Sequence, residues 1–224
     1  MSVYTRLVIL ITTVLIFGGA GIFAALEWNN PGTLGGLTPS QKLMAALFQS
    51  VTLRTAGFAS FNQDALTEAS KALSDLLMFV GGSSGSTAGG VKTVTMGLVI
   101  LSAVSTMRGR RQVTVLGRSI SQEDIANAVS IALLVMGLSL LGAAVITVCD
   151  GCSFMNAIYE TISALCTVGL TTGITPTLCT ASKLILIVFM FFGRVGIMTI
   201  GVGFMMGDRA KERVQYAQTK VMIG

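Results

Sequence analysis

The sequence has few charged residues for its length. Aspartate, glutamate, lysine and arginine make up 11% of the 224 residues, whereas an average soluble domain carries about 25%. Hydrophobic residues make up 52% of the chain, and its mean hydropathy is +0.78. This composition is not that of an ordinary soluble domain, and it indicates a membrane protein.

Histidine is absent, and the four cysteines include a single Cys-x-x-Cys pair, Cys149 and Cys152. A structural zinc site needs a second pair or histidines to complete its four ligands. A zinc centre is therefore disfavoured, and a disulfide and free thiols both remain open for this pair. The first apolar run ends at Leu26-Glu27-Trp28, which is not a small-residue cleavage site, so no signal peptide is predicted.

Two long apolar runs without charge predict membrane-spanning helices. Leu7–Leu26 has 20 such residues and Ile125–Val148 has 24. At about 1.5 Å per residue, each run is long enough for a hydrocarbon layer roughly 30 Å thick. We therefore predict an all-α polytopic membrane protein with a single domain.

The net charge of +5 comes from two basic segments. They lie between the second and third apolar regions and in the tail: Arg108, Arg110, Arg111, Arg118, Arg209, Lys211, Arg213 and Lys220. With four spans both segments fall on one side of the membrane, as the positive-inside rule requires. This pattern predicts a multi-pass protein of the plasma membrane with both termini in the cytoplasm, and not a nucleic-acid-binding protein.

A short motif of threonine, small residue, glycine and apolar residue occurs twice, 112 residues apart. The copies are Thr55-Ala56-Gly57-Phe58 and Thr167-Val168-Gly169-Leu170. Glycine permits backbone angles that a side chain forbids, and a row of carbonyl oxygens can replace the water around a cation. We predict that both segments bind an ion through backbone carbonyls. Internal repeats of this kind define the architecture of a chain.

Each motif follows a short apolar helix. Thr38-Pro39 predicts the start of the helix Ser40–Leu53, and Ser153 predicts the start of Phe154–Leu165. Both helices are too short to cross a bilayer. They are typical of half-helices that turn their negative carbonyl ends toward a cation at the membrane midplane. An interfacial amphipathic helix is the alternative for one copy, and the second copy disfavours it.

The second span, about Ala72–Thr106, is interrupted by a glycine-rich segment. The segment is Gly81, Gly82, Ser83, Ser84, Gly85, Ser86, Thr87, Ala88, Gly89 and Gly90, followed after Val91 by Lys92. A Walker A loop needs lysine directly after its last glycine, so that motif fails. Close helix packing through glycines at four-residue spacing and a polar surface loop remain open. We favour non-helical backbone lining a cavity at membrane depth, as a gate beneath a pore would need.

The fourth span, Leu184–Met206, carries Arg194 near its middle. A charge at that depth faces a cavity or a partner. One hypothesis gives Arg194 structural bonds to backbone carbonyls. The other makes it a positive gating element below the pore loop, in contact with Gly81–Gly90. Residues 1–107 and 121–207 then form two span–pore-helix–loop–span repeats of potassium-channel-like type, joined by a cytoplasmic linker, 108–120, and followed by a cytoplasmic tail, 208–224.

These residues together resemble the membrane subunit of the Trk/Ktr/HKT potassium transporter superfamily, most closely its Ktr type. The likeness covers nearly the whole chain and rests on Glu27-Trp28-Asn29-Asn30-Pro31, Ser50–Phe58, Gly81–Thr93, Thr167–Gly173, Gly193-Arg194-Val195-Gly196 and Ile223-Gly224. It implies that Thr55–Phe58 and Thr167–Leu170 form a selectivity filter, and that Gly81–Gly90 and Arg194 control the pore. It also implies a homodimer on a cytoplasmic nucleotide-binding regulatory ring.

The chain departs from that family in its number of repeats. The family has four repeats around one pore, and this chain has two, which correspond to the third and fourth. We therefore expect an intact C-terminus and a missing N-terminal half, as in a truncated or split gene product or in a partial sequence. Smaller departures are Leu53 and Ser84, where the family often has proline, and Cys166, where a small residue is usual.

The sequence thus predicts a potassium uptake protein, or its C-terminal half, rather than an enzyme. We expect K⁺ to be the transported ion and the chain to be embedded in a lipid bilayer. No organic cofactor is expected in this chain. A non-conducting half-transporter that acts as an assembly partner is the alternative function.

Overall fold

The computed structural model describes residues 3–83, 85–86, 88–109, 114–115 and 118–195. Helices dominate it: α1 (Val3–Glu27), α2 (Pro39–Thr52), α3 (Glu68–Phe79), α4 (Thr93–Met107), α5 (Gln122–Asp150), α6 (Phe154–Leu165) and α7 (Thr180–Val195). Single 3₁₀ turns at Gln63–Ala65 and Thr175–Thr177 precede α3 and α7. The predicted tail, the end of the predicted fourth span, Ser84 and Thr87 lie outside the described residues.

The two longest helices contain the two apolar runs that predict spans. α1 has 25 residues and α5 has 29, and both are long and apolar enough to cross a bilayer. Ser121 begins α5 as predicted, because its hydroxyl accepts a hydrogen bond from the Asp124 backbone N–H. Gly151 ends α5 in the left-handed region, at φ +64°.

The short helices α2 and α6 begin close to where the sequence predicts. Pro39 is the first residue of α2, and the Gln41 side chain accepts a hydrogen bond from the Thr38 backbone N–H at 3.0 Å. Ser153 is the N-cap of α6, but its side chain makes no capping hydrogen bond. The position of the helix start is therefore confirmed, and the predicted capping by the Ser153 hydroxyl is wrong.

The segment predicted as the second span is divided into α3 and α4, with the glycine-rich segment between them. However, α3 begins at Glu68, before the predicted Ala72. The cause lies at Thr67, whose hydroxyl accepts from the Ser70 N–H and donates to Glu27 Oε1 at 2.7 Å. Because Glu27 is 40 residues away in the chain, this anchor is not visible in the local sequence.

The linker between α4 and α5 is not purely irregular. Strand β1 (Thr114–Val115) pairs antiparallel with β2 (Arg118–Ser119), with Thr114 opposite Ser119. This strand pair lies within residues 108–120, which the sequence predicts as a linker without naming any strand in it. Its β-branched sequence, Val113-Thr114-Val115, favours extended backbone over helix.

One hydrophobic core joins the two halves of the chain. α6 packs against α3, α5 and α7, while α1 packs against α2, α3 and α4. The core includes Phe23, Leu53 and Met78 from the first half and Ile146 and Leu165 from the second. The ends of α2 and α6, and the loops that follow them, are thereby held side by side.

Candidate functional site

The two Thr-x-Gly segments have the same unusual backbone. Thr55 and Thr167 have φ of +64° and +55°, and they are the only residues besides glycine with positive φ in the described part of the chain. Gly57 and Gly169 follow at +78° and +89°. A β-branched residue strongly disfavours this region. Alternating left-handed residues turn successive peptide groups toward one side, which lines up their carbonyl oxygens.

The two segments lie against each other without an intervening side chain. A Cβ placed on Gly57 would lie 2.1 Å from the Val168 carbonyl oxygen, so no other residue fits at position 57. Around Gly169, in contrast, a Cβ would meet no atom within 4 Å. The second glycine therefore borders open space, whereas the first borders its counterpart segment.

Hydroxyl groups on α2 and α6 fix the last residue of each segment. Thr52 Oγ1 donates to the Phe58 carbonyl at 2.7 Å and accepts from the Phe58 N–H at the same distance. Ser163 Oγ donates to the Leu170 carbonyl at 2.6 Å. Both carbonyls are thus drawn toward the protein, and the three preceding carbonyls of each segment are left for other partners.

An amide network lies behind the first segment and reaches the second half of the chain. Gln49 Nε2 donates to Gln63 Oε1 at 2.6 Å, and the Tyr159 hydroxyl donates to the same oxygen at 3.1 Å. All three side chains are buried. Hydrogen bonds between buried polar groups hold their elements in one relative position, here α2, the 3₁₀ turn before α3, and α6.

A carboxylate lies behind the second segment. Glu160, on α6, accepts hydrogen bonds from the chain that emerges from Leu170: from the Thr172 N–H at 2.9 Å and from the Thr175 hydroxyl at 2.9 Å. Glu160 is not among the residues that the sequence predicts for the site. Its position three residues before Ser163, on the same face of α6, is the sequence feature that could have indicated this role.

The glycine-rich segment is an irregular loop closed at its base. The Gly81 N–H donates to the Val91 carbonyl at 2.9 Å, and the Val91 N–H donates to the Phe79 carbonyl at 3.2 Å. Because the loop is not helical, packing of two helices through its glycines is wrong. Gly81 and Gly89, at the base of the loop, are buried, whereas Gly85 and Ser86 are exposed.

This loop, Gly81–Gly90, contacts the second motif directly. The Gly89 N–H donates to Thr167 Oγ1 at 2.9 Å. A Cβ on Gly90 would lie 3.1 Å from Cys166 Sγ, beside the residue that precedes the motif. The loop is therefore bonded to one end of the Thr167–Leu170 segment.

Two cations hold the loop through neutral groups. Arg54 Nη2 donates to the Gly81 carbonyl at 3.2 Å and to Thr93 Oγ1 at 2.9 Å, so it joins the residues on both sides of the loop. Lys92 donates to the Ala88 carbonyl. Arg54 was not among the predicted site residues, although it stands directly before Thr55. Its contacts reach 27 and 39 residues along the chain, beyond any local pattern.

Arg194 lies on α7 at the far side of the second segment. A Cβ on Gly193 would lie 2.1 Å from the Leu165 carbonyl, so glycine allows α7 to pass directly over the end of α6. Arg194, Thr167 and Gly169 line a cavity of about 560 Å³, which Glu160 also borders. Among the described residues of the Gly81–Gly90 loop, none lines this cavity.

The cysteines are free thiols in this structure. Cys149 and Cys179 are exposed, and Cys166 is buried. Burial raises the pKa of the partly exposed Cys152 thiol, which lies outside the predicted spans. Across the described ranges no three histidine, cysteine or acidic side chains are placed to share a metal ion.

Comparison with known families identifies the chain. The family model described as TrkH, cation transport protein, matches residues 4–212. The chain belongs to the TrkH cation transport family. This membership confirms the resemblance found in the sequence and makes the chain a membrane protein of a transporter family.

Two curated relatives match the whole length of the chain. It is 36% identical over 225 residues to the Ktr system potassium uptake protein B of Bacillus subtilis. It is 32% identical over 229 residues to the potassium/sodium uptake protein NtpJ of Enterococcus hirae. The matches take up 50% and 51% of those proteins, so the chain spans about half the length of the curated relatives it matches.

The fold agrees with the family. The crystal structure of the potassium transporter TrkH from Vibrio parahaemolyticus superposes with a TM-score of 0.69 at 22% identity. The likeness covers 88% of this chain and 43% of that protein.

Proposed function

We propose that this TrkH-family chain forms part of a potassium uptake pore, with Thr55–Phe58 and Thr167–Leu170 as two segments of its selectivity filter. The observation that carries the proposal is the repeated left-handed Thr and Gly backbone in two adjoining loops. Strain of this kind, about 1–3 kcal/mol per residue, persists where surrounding structure enforces it for function. Backbone carbonyls that all face one space suit a dehydrated monovalent cation.

The ion contacts in this proposal come from the carbonyls before the last residue of each segment. Phe58 and Leu170 already accept hydroxyl protons from Thr52 and Ser163, so their role is to anchor the segment ends. K⁺ is the proposed ion because the relatives in Bacillus subtilis and Enterococcus hirae are named for potassium and for potassium/sodium uptake.

The proposed gate consists of the Gly81–Gly90 loop, Lys92 and Arg194. The loop is bonded to the second segment through Gly89 and Thr167, and Arg194 borders the cavity beside the same segment. Irregular backbone is tolerated at membrane depth where it lines a cavity or is buried in protein. Rearrangement of this loop would then open or close the path at one end of the filter.

Two segments line only part of a path around an ion, so the pore needs further segments. We propose that a matching N-terminal half supplies them, with the complete protein working as a homodimer on a cytoplasmic nucleotide-binding regulatory ring. The proposed topology is multi-pass, with repeats at 1–107 and 121–207 and both termini in the cytoplasm. Arg108 and the other basic residues of the linker support that orientation.

The test is potassium-limited growth and K⁺ uptake in bacteria that lack their own uptake systems. The variant is Gly169→Asp, which places a side chain and a charge in the open space beside the second segment. We expect it to abolish K⁺-selective uptake. Gly151→Asp is the matched control. Gly151 also has positive φ and no neighbour within 4 Å of its Cβ position, but it ends α5 and lies outside both motifs.

The growth assay has three informative outcomes. Growth of cells with this chain alone means that two-repeat chains assemble into a pore. Growth only with a co-expressed N-terminal half means a split transporter. Absence of growth in both cases, with the protein present in the membrane, contradicts potassium uptake and favours a non-conducting assembly partner. Unchanged potassium preference in Gly169→Asp contradicts the assignment of the filter.

A further inference from the structure

The Glu160 carboxylate is surrounded by hydrogen-bond donors from the chain that leaves the second filter segment. Its Oε1 atom accepts from the Thr172 N–H at 2.9 Å, from the Thr172 hydroxyl at 3.2 Å and from the Thr171 hydroxyl. Its Oε2 atom accepts from the Thr175 hydroxyl at 2.9 Å. Glu160 is only 5% exposed. Hydrogen bonds to an ionised acceptor are about twice as strong as those between neutral groups.

Glu160 works together with Ser163 on one face of α6. Residues three apart on a helix are neighbours, and Ser163 holds the Leu170 carbonyl while Glu160 holds the next residues. The two side chains therefore hold four of the six residues from Leu170 to Thr175. This stretch continues directly from the proposed ion-binding carbonyls, so its position sets where those carbonyls lie.

The first half of the chain has the same pair of positions with different chemistry. Thr52 holds the Phe58 carbonyl, as Ser163 holds that of Leu170. Gln49, three residues before Thr52, binds Gln63 beyond the first segment. The position that carries an amide in the first half thus carries a carboxylate in the second. The groups that donate hydrogen bonds to the Glu160 carboxylate are all neutral. They therefore do not cancel its negative charge beside the second segment.

The cavity next to the second segment is the space that this charge affects. Glu160, Gly169 and Thr171 border the same volume of about 560 Å³. A buried anion is felt more strongly than an exposed one because less water screens it. A cation near Gly169 is therefore stabilised by Glu160 in addition to the carbonyls, and the carbonyls themselves are held at a fixed spacing.

We propose that Glu160 is a positioning residue that determines ion selectivity at the second filter segment. It anchors the outer end of Thr167–Leu170, so that the carbonyl spacing does not collapse around a smaller ion. This inference rests on the proposed potassium pore, and it assigns to one side chain the preference for K⁺ over Na⁺. The carboxylate acts by holding the segment and by its charge, and it does not itself touch the ion.

The uptake test compares Glu160→Gln and Glu160→Asp with the unaltered chain, expressed with the N-terminal half if growth requires it. Glutamine has one acceptor oxygen, and its amide group adds a donor to a site that already consists of donors. We therefore expect the K⁺/Na⁺ uptake ratio to fall about tenfold, the size of effect expected when a buried hydrogen bond to a charged acceptor is lost. Aspartate keeps the charge but reaches less far, and its ratio should fall in between. Thr177→Ala is the control, because that exposed hydroxyl donates to the Ile174 carbonyl and, within the described residues, does not bond to Glu160.

A second measurement does not need transport. Hydrogen exchange of the Thr172 amide in the purified chain should be slow, and at least about tenfold faster in Glu160→Gln. Equal exchange in both proteins contradicts the anchor. Glu160→Gln could also show faster exchange and lower uptake but an unchanged K⁺/Na⁺ ratio. That result would make Glu160 a structural residue and would overturn its role in selectivity. No uptake by any protein, with Thr172 protected, shows instead that the proposed pore is wrong while the anchor is right.

Discussion

Thr55 and Thr167 take the least favourable backbone conformation in the described chain, yet only one of them uses its hydroxyl in a hydrogen bond. Thr167 Oγ1 accepts from the Gly89 N–H of the glycine-rich loop. This contact gives the second threonine a role that the repeat alone does not reveal, because it links the segment to the proposed gate.

At this scale, replacing Thr167 by valine tests the link between filter and loop. Valine keeps the β-branched shape but leaves the buried Gly89 N–H without an acceptor, which disfavours the closed loop by about 1 kcal/mol. We expect roughly a fivefold rise in the open population, measured as K⁺ flux without regulatory stimulus. Thr167→Ser should behave like the unaltered protein, since it retains the hydroxyl.

The matched control is Thr55→Val, because the Thr55 hydroxyl forms none of the side-chain hydrogen bonds found in the described ranges. It places the same valine in the other filter segment without removing a bond to the loop, so its flux should rise less than that of Thr167→Val. An equal rise in both valine variants would show that threonine at these positions acts through the filter and not through the loop.

The sequence predicted the positions of the unusual residues but not their partners. Glycine at 57 and 169 signals a special backbone because other residues avoid positive φ. The bonds from Thr52, Ser163 and Glu160 to the emerging chain depend on how each loop folds back on its helix. The contacts of Arg54 depend on packing between distant segments, for which one sequence contains no periodic signal.

At the scale of elements, an acidic side chain at the end of each long helix holds the start of a later helix. Glu27 accepts from the Thr67 N–H at 3.0 Å, directly before α3. Asp150 accepts from the Cys179 N–H at 2.6 Å, directly before α7. A carboxylate suits both places because a helix N-terminus has unpaired N–H groups and a partial positive charge.

Neutralising the first of these acids should weaken the protein more than neutralising the second. Glu27 is fully buried and also accepts from Asn30 and Thr33 at 2.6 Å each. We expect Glu27→Gln to lower the free energy of unfolding by about 1–3 kcal/mol, because a buried network loses its charged acceptor. Asp150→Asn should have a smaller effect, since Asp150 is only partly buried. Thermal unfolding in detergent measures the stability of both variants. Equal losses of stability would contradict the greater importance of the Glu27 network.

Deletion of Gly82–Gly89 tests the glycine-rich loop as a whole. A Cβ on Gly81 would lie 3.6 Å from the Gly90 Cα, so the two flanking glycines are close enough to be joined without moving α3 from α4. We expect greater K⁺ flux, because the deletion removes the proposed barrier. Reduced flux at normal expression would instead assign the loop a structural role.

Most helices could be predicted from sequence because their causes are local. Pro39, Ser121 and the apolar runs fix α2, α5 and α1 within a few residues. The start of α3 could not be found in this way because it depends on Glu27. The hairpin β1–β2 was missed because strands of two residues are too short for an alternating pattern.

At the scale of the whole molecule, the chain is half of what its relatives contain. It covers 50% of the Bacillus subtilis protein and 43% of the Vibrio parahaemolyticus transporter. Its two halves share one core and bring two motifs into contact, which composition and hydropathy do not predict. The repeat did indicate that the motifs belong together, since neither loop could surround an ion alone.

The Glu27 anchor also has a consequence for synthesis. Its carboxylate lies at the end of the first long helix, and the partner at Thr67 follows 40 residues later. Until the ribosome has made that residue, the acid lacks part of its buried hydrogen-bonding environment and stays in contact with water. We therefore expect the first long helix, α2 and α3 to settle in the bilayer as one unit, and a ribosome stalled before Thr67 to leave Glu27 open to aqueous labelling reagents.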